Sequence, residues 1–153
     1  AVAEIVDGQL RILLLDEPTA NLDIATRREI MAVLDDMKDT VRMEEGAGLA
    51  APQVGVLRRV VVVDVEEGFF EFINPKITAQ KGEQCGWEGC LSVRGKRGVV
   101  SRPMKVKLSY LDRYGKEQTL SAKGFFARAI CHELDHLDGI LYIDKAQHIE
   151  AAD

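Results

Sequence analysis

Between residues 24 and 43 the apolar positions Ile30, Leu34, Met37 and Val41 recur at spacings of three and four, the period of a helix with one buried face. The spacing predicts one N-terminal amphipathic helix over roughly 24 to 43, with Asp23 or Thr26 as its N-cap. Strand signals follow. Val60-Val61-Val62-Val63 is an unbroken β-branched run that reads as a buried strand, and Phe69 to Ile73 reads as another that stops before Asn74-Pro75. Residues 76 to 88 read as extended. Met104, Val106, Leu108 and Tyr110 alternate with Lys105, Lys107 and Ser109, the period of a half-buried strand, and Asp112-Arg113-Tyr114-Gly115 is a turn into a partner strand around Thr119. A second helix is expected over 124 to 138. Near the start, Leu10 to Leu15 is a short apolar strand ended by a turn at Pro18. The pattern is that of an α+β domain, small mixed or antiparallel strands packed around a central helix, and residues 1–153 read as a single domain without repeat or linker.

Composition narrows the class. With 153 residues, 46% hydrophobic and 29% charged, the chain is long enough for a real core and ordinary for a globular domain. Its net charge of −5 argues against direct nucleic-acid binding, and Arg94, Lys96 and Arg97 read as a solvated loop. No signal-peptide or membrane-span pattern is present, so no membrane partner and a cytoplasmic location are expected. Three cysteines then read as reduced thiols or metal ligands.

The chemistry concentrates in Cys131-His132-Glu133-Leu134-Asp135-His136. On a helix, residues four apart share a face, so His132 and His136 are placed to hold one metal ion, which makes the second helix a central metal-binding helix. Glu133 lies roughly 100° round the helix, near enough to exchange a proton with water at the metal without being a ligand. Ala129 and Phe125 extend the histidine face as an apolar strip, Phe125 reading alternatively as plain core; the Arg128 guanidinium is expected to reach out to solvent, and Cys131 to pack behind the helix. A catalytic site needs a third ligand and an open position. Cys90 is the best supplier, preceded by Gly89, which permits close backbone approach, and followed by Leu91, whose amide is placed to meet an oxyanion. Cys85 competes with it, and Cys85, Cys90, His132 and His136 together would make a closed structural metal module without catalysis.

Gly46-Ala47-Gly48-Leu49-Ala50-Ala51-Pro52-Gln53, Glu88-Gly89-Cys90-Leu91-Ser92 and His132-Glu133-Leu134-Asp135-His136 resemble, in the same order, the three signature motifs of peptide deformylase, over about Leu34 to Asp144. The resemblance implies a metal-dependent hydrolase that removes the N-formyl group from the N-terminal methionine of new polypeptides and releases formate. It implies Cys90, His132 and His136 as ligands of one divalent ion, Fe²⁺ by resemblance, with Zn²⁺, Ni²⁺ or Co²⁺ compatible with the donors. Glu133 would move the proton, and Gln53 with the Leu91 amide would hold the oxyanion. The glycine-rich Gly46 to Gln53 loop and Gly89 would pair with the peptide backbone, and Ala47, Phe125 and Ala129 would line a slot for the methionine side chain. Glu88 and Arg102 would form an ion pair behind the cysteine loop.

Residues 1–23 depart from that pattern and read as an atypical leader. Ile12 to Asp23 is similar to the Walker B stretch of ABC ATPases, but no Gly-x-x-x-x-Gly-Lys-Ser/Thr loop exists, so no ATP is expected. A ribosome contact, made in some family members by a longer C-terminal helix, is not indicated. The alternatives to deformylation are a metallopeptidase using the histidines and Glu133, the structural module above, and an inactive relative.

Overall fold

The computed structural model describes residues 2–6, 9–13 and 24–152, with side chains from residue 27 onward. Strands β1 (Val2–Val6) and β2 (Gln9–Leu13) form an antiparallel pair ahead of helix α1 (Ile24–Met43). The N-cap candidate Asp23, the side chain of the other candidate Thr26, the turn expected at Pro18 and the Walker B-like residues 14–23 lie outside the described residues. Next come β3 (Gly48–Ala50), a 3-10 turn (Ala51–Val54), β4 (Val60–Val65), β5 (Gly68–Lys81), β6 (Gln84–Cys90) and β7 (Val93–Arg102). The chain closes with β8 (Lys105–Leu111), β9 (Glu117–Lys123), α2 (Phe125–Leu137), the single turn α3 (Tyr142–Lys145) and β10 (His148–Ala151). The larger sheet has the order β3-β4-β5-β8-β9 and a smaller one β10-β7-β6, and every described strand pair is antiparallel.

The valine run shows how the layers form. Successive side chains of a strand point to opposite faces. Val61 and Val63 pack with Phe72, Leu108, Phe126, Ile130 and Leu134 on the α2 side, while Val60 and Val62 pack with Ile30, Leu34, Met37 and Val41 of α1. Both faces of β4 are therefore dry, which is why it is an unbroken apolar run and not an alternating one.

Three connections differ from the sequence expectation. β5 does not stop before Asn74-Pro75 but runs through them; the register with β8 shifts between Ile73 and Lys76, and Asn74 takes φ 52°. A bulge absorbs the proline, which has no N–H for the ladder. The Gly46 to Gln53 stretch is not a loop throughout, because Gly48–Ala50 pairs with β4 and Ala51–Val54 is a 3-10 turn. Arg94, Lys96 and Arg97 are exposed on strand β7, not in a loop. No helix among the described residues is long and apolar enough to cross a membrane.

Candidate metal centre and cleft

Helix α2 begins at Gly124, whose φ of 61° suits a residue without a side chain, and its carbonyl accepts from Arg128 N–H and Gln84 Nε2. From there the helix runs through the core. His132, Glu133 and His136 are 8%, 5% and 1% exposed, so three ionisable groups are held in an apolar layer. Cys90 arrives from the end of β6, where the pairing with β7 slips between Glu88 and Cys90. One ligand atom from each of Cys90, His132 and His136 lies within 4.8 Å of the others, and Cys90 Sγ is 3.3 Å from His136 Nε2. Two imidazoles and a thiolate are a donor set that suits Zn²⁺, Fe²⁺ and neighbouring divalent ions. Cys85 does not join them. It is exposed on β6 opposite Ser101, which removes the four-ligand arrangement with Cys85.

Behind the ligands is a buried ionic lattice. The Glu88 carboxylate accepts from His132 Nδ1 at 2.8 Å, from Arg102 Nε and Nη2 at 2.9 Å each, and from Arg128 Nη1 at 2.7 Å. An Nδ1–H donated to Glu88 leaves the His132 Nε2 lone pair for a metal. Arg102 also reaches Asp135 at 2.5 Å, so it ties β7 to both β6 and α2. Burial opposes the Glu88 charge, yet the hydrogen bonds from His132 and Arg102 outweigh it and bring the carboxyl down to about 2. Arg128 does not reach solvent; it is 5% exposed and donates to Glu88 and to the Val100 carbonyl. An outward stem was the natural reading of one arginine on an apolar face, but a buried carboxylate from another strand offered it a better partner.

Glu133 Oε2 is buried without a hydrogen-bond partner among the described residues, and burial pushes its carboxyl up to about 7 against the opposing pull of His132. Burial opposes a charge on His132, but Cys90 and Glu88 raise it to about 10, whereas burial takes His136 down to about 3. Gln53 is anchored by its own turn, its Oε1 accepting the Ala50 N–H at 2.9 Å. Its Nε2 donates to Ser92 Oγ at 2.9 Å and lies 3.5 Å from Cys90 Sγ.

A cleft of about 450 Å³ opens over these groups, with Gln53, Gly89, Cys90, Leu91, His132 and Glu133 along its floor. Gly46, Ala47, Gly48, Phe125 and Ala129 also line it. Phe125 is 60% exposed at the rim, so its reading as core is wrong, while Ala129 is buried at 6%. Leu91 is half-buried, and its side chain would meet a Cβ placed on Gly46 at 3.5 Å. Cys131 is buried among core residues and its thiol is pushed up to about 11 by burial. The sequence reading missed Asp135 as a partner of Arg102, Ser92 as a partner of Gln53, and Tyr142, whose ring stacks on His132 at 6.0 Å. Only the helical position of Asp135, one turn after Cys131, carried any hint that it faced away from the metal.

The chain matches the polypeptide deformylase family over residues 2–152. That span takes in the stretch read as an atypical leader and exceeds the likeness seen from Leu34 to Asp144 in the motifs alone. The peptide deformylase of Thermoanaerobacter pseudethanolicus is 56% identical over 117 residues, 76% of this chain and 74% of that protein. Among solved structures, a class I type b peptide deformylase from Acinetobacter baumannii is 36% identical with a TM-score of 0.79, over 87% of this chain and 90% of that one. A peptide deformylase from Synechococcus elongatus, solved in complex with actinonin, is 40% identical with a TM-score of 0.75, over 78% of this chain and 66% of that one. The family match across nearly the whole chain, with relatives alike in sequence and in fold, places this protein in the polypeptide deformylase family, metal-dependent enzymes that remove the N-formyl group from newly synthesised polypeptides.

Proposed function

We propose that this chain, as one domain, hydrolyses the N-formyl group of N-formyl-methionyl peptides at the cleft floor, with α2 as the central metal-binding helix and α1 as an amphipathic support for the sheet beneath it. The observation that carries the reading is the meeting of the Cys90, His132 and His136 ligand atoms within 4.8 Å, beside a buried Glu133 oxygen that has no partner among the described residues. Those three residues would hold one divalent ion, Fe²⁺ in our reading. When bound, such an ion supplies positive charge that acidifies water and polarises a carbonyl oxygen.

The remaining steps belong to the chain. Glu133 takes a proton from the water that adds to the formyl carbon, and its raised pKa, about 7, suits both accepting and returning that proton. Gln53 Nε2 and the Leu91 N–H donate to the oxygen that becomes negative. Glu133 then delivers the proton to the departing nitrogen; the C–N bond breaks, and formate and a free α-amino group leave. Gly46, Gly48 and Gly89 leave the peptide backbone room to lie extended, and Ala47, Phe125 and Ala129 border the methionine side chain. Glu88 and Arg102 hold the His132 ring in place from behind.

Formate release from an N-formyl-methionyl peptide, after anaerobic loading with Fe²⁺, tests the reading. The parent chain should release formate and Glu133→Ala should lose about 10²-fold or more while keeping its metal. A chain holding one equivalent of metal that releases no formate, or that cuts internal peptide bonds without regard to the formyl group, would overturn it.

A further inference from the structure

Strand β9 is an edge of the larger sheet: in the order β3-β4-β5-β8-β9 it pairs with β8 on one side and with no described strand on the other. The direction of its backbone groups is settled at both ends. Asp112 N–H donates to the Lys116 carbonyl and Gly124 N–H to the Met104 carbonyl, both in register with the β8 ladder. Residues of an antiparallel strand alternate between aiming their backbone groups at one neighbour and at the other. Gln118, Leu120 and Ala122 therefore bond to β8, and Glu117, Thr119, Ser121 and Lys123 aim N–H and C=O at the open edge. The side chains of those four are exposed as well. No register shift interrupts the β8–β9 pairing, so no bulge bends the edge away. A regular open edge is a template for another strand unless charge blocks it. On β9 the charge is confined to the two ends and differs in sign, Glu117 at one and Lys123 at the other.

We propose that β9 pairs with β9 of a second copy of this chain, antiparallel about a two-fold axis through Leu120. In that register Glu117 lies opposite Lys123 of the second copy, Thr119 opposite Ser121, and Leu120 opposite its own counterpart. Backbone and side chains agree, because the residues set against each other at the charged and hydroxyl positions are those whose N–H and C=O groups point out of the sheet. Other registers fail. A slip of two residues either way puts each charge opposite a neutral residue, and parallel in-register pairing puts Glu117 on Glu117 and Lys123 on Lys123, which is repulsive. The sheet supplies a further reason. Lys81, Lys105 and Lys123 stand opposite one another across β5, β8 and β9, with Lys107 on the same face between Ala79 and Ser121. Like charges so placed are destabilising, and among the described residues neither Lys123 nor Glu117 has an ion-pair partner. Glu117 of the second copy continues that row with the opposite sign. A contact of this kind is isologous and closes on itself, so its product is a dimer with one continuous sheet and not a fibre. Strands of seven residues make a small interface, of the transient class.

Sedimentation velocity of the Zn²⁺-loaded protein tests the pairing. The parent should move from monomer toward dimer between about 10 and about 500 μM, the range of a small transient interface. Added salt should weaken the dimer, since its ion pairs are exposed. Lys123→Glu and Glu117→Lys should each reduce association about tenfold or more, because each turns two attractive pairs into repulsive ones. An equal mixture of the two variants should associate as well as the parent, since each copy then meets the opposite sign at both ends. Thr119→Pro removes an N–H that points out of the sheet and leaves the ladder with β8 intact, so it should stay monomeric while unfolding cooperatively on heating like the parent. Glu117, Thr119 and Lys123 do not line the cleft, so formate release from a short formyl-methionyl peptide should match the parent in every variant. A parent that is monomeric throughout, single charge variants that associate like the parent, or a mixture no better than either variant alone overturns the proposal. Association is read without reference to activity, so a failed pairing stays distinct from a failed hydrolysis.

Discussion

Gly48 decides where the Glu133 carboxylate sits. A Cβ at this position would lie 2.8 Å from Glu133 Cγ and 3.0 Å from the Val62 carbonyl, too close on both sides. Gly48→Ala should therefore push Glu133 off its station and lower formate release by about 10²-fold with one equivalent of metal retained, as a displacement near 1 Å at a reacting group does; a variant as fast as the parent would show that the carboxylate has slack. Arg102 is the second such residue. Its removal leaves the buried Glu88 and the half-buried Asp135 without their shared cation, so Arg102→Ala should cost about 3–5 kcal/mol in urea unfolding and loosen metal retention. Arg102→Lys should restore little, since a single ammonium cannot bridge Glu88 through two parallel bonds. The Glu88–Arg102 pairing was legible beforehand only through the family resemblance. The inward turn of Arg128 was not, because its partner lies forty residues away and nothing local marks it.

Elements divide by whether their signal is local. α1 could be read from Ile30, Leu34, Met37 and Val41 because a helix that buries one face writes its period into the chain, and all four are buried against β4 and its neighbours. Leu34, fully buried, should cost about 2–5 kcal/mol as Leu34→Ala, measured by urea denaturation. The β8–β9 turn was legible for a similar reason: Asp112 Oδ1 accepts the N–H groups of Tyr114 and Lys116, and Gly115 supplies φ 81°. Although slight burial opposes it, the bond from the Lys116 N–H and others hold the Asp112 carboxyl below its ordinary value of 3.8. A depressed carboxylate contributes stability that is complete above the unfolded pKa and is lost as pH falls through the folded one. Asp112→Ala should cost about 1 kcal/mol at neutral pH and less in strong acid, whereas Asp112→Asn, which keeps the acceptor oxygen, should flatten the acid limb of the stability curve around pH 4 and below. The passage of β5 through Pro75 left no such signal, since a bulge depends on the partner strand β8.

At the scale of the molecule, the candidate centre is an intersection. His132 and His136 come from α2, Cys90 from β6, and Gln53 from the 3-10 turn after β3. A ligand that binds only the folded chain raises stability by an amount that grows with its free concentration. Removing the metal with a chelator should therefore lower Tm, and returning Zn²⁺ or Fe²⁺ should restore it in a concentration-dependent way. Cys85→Ser should leave that shift intact while Cys90→Ser should reduce it, because the exposed Cys85 stands apart from the ligand atoms. The lysine row belongs to this scale too. In the sequence Lys81, Lys105 and Lys123 are scattered, and only strand register puts them side by side.

By itself the sequence determined the residue types and the short spacings: the helical interval that puts His132 and His136 on one face, the glycines that line the cleft, and the apolar periods that drive α1 and β4 into the core. Those follow from backbone geometry, which acts over a few residues. Tertiary structure decided which cysteine meets the histidines, that Arg128 turns inward to Glu88, that Phe125 stands at the rim, and that four lysines share a face. These are contacts between segments far apart in the chain, and they are settled by burial and register, to which no local spacing bears witness.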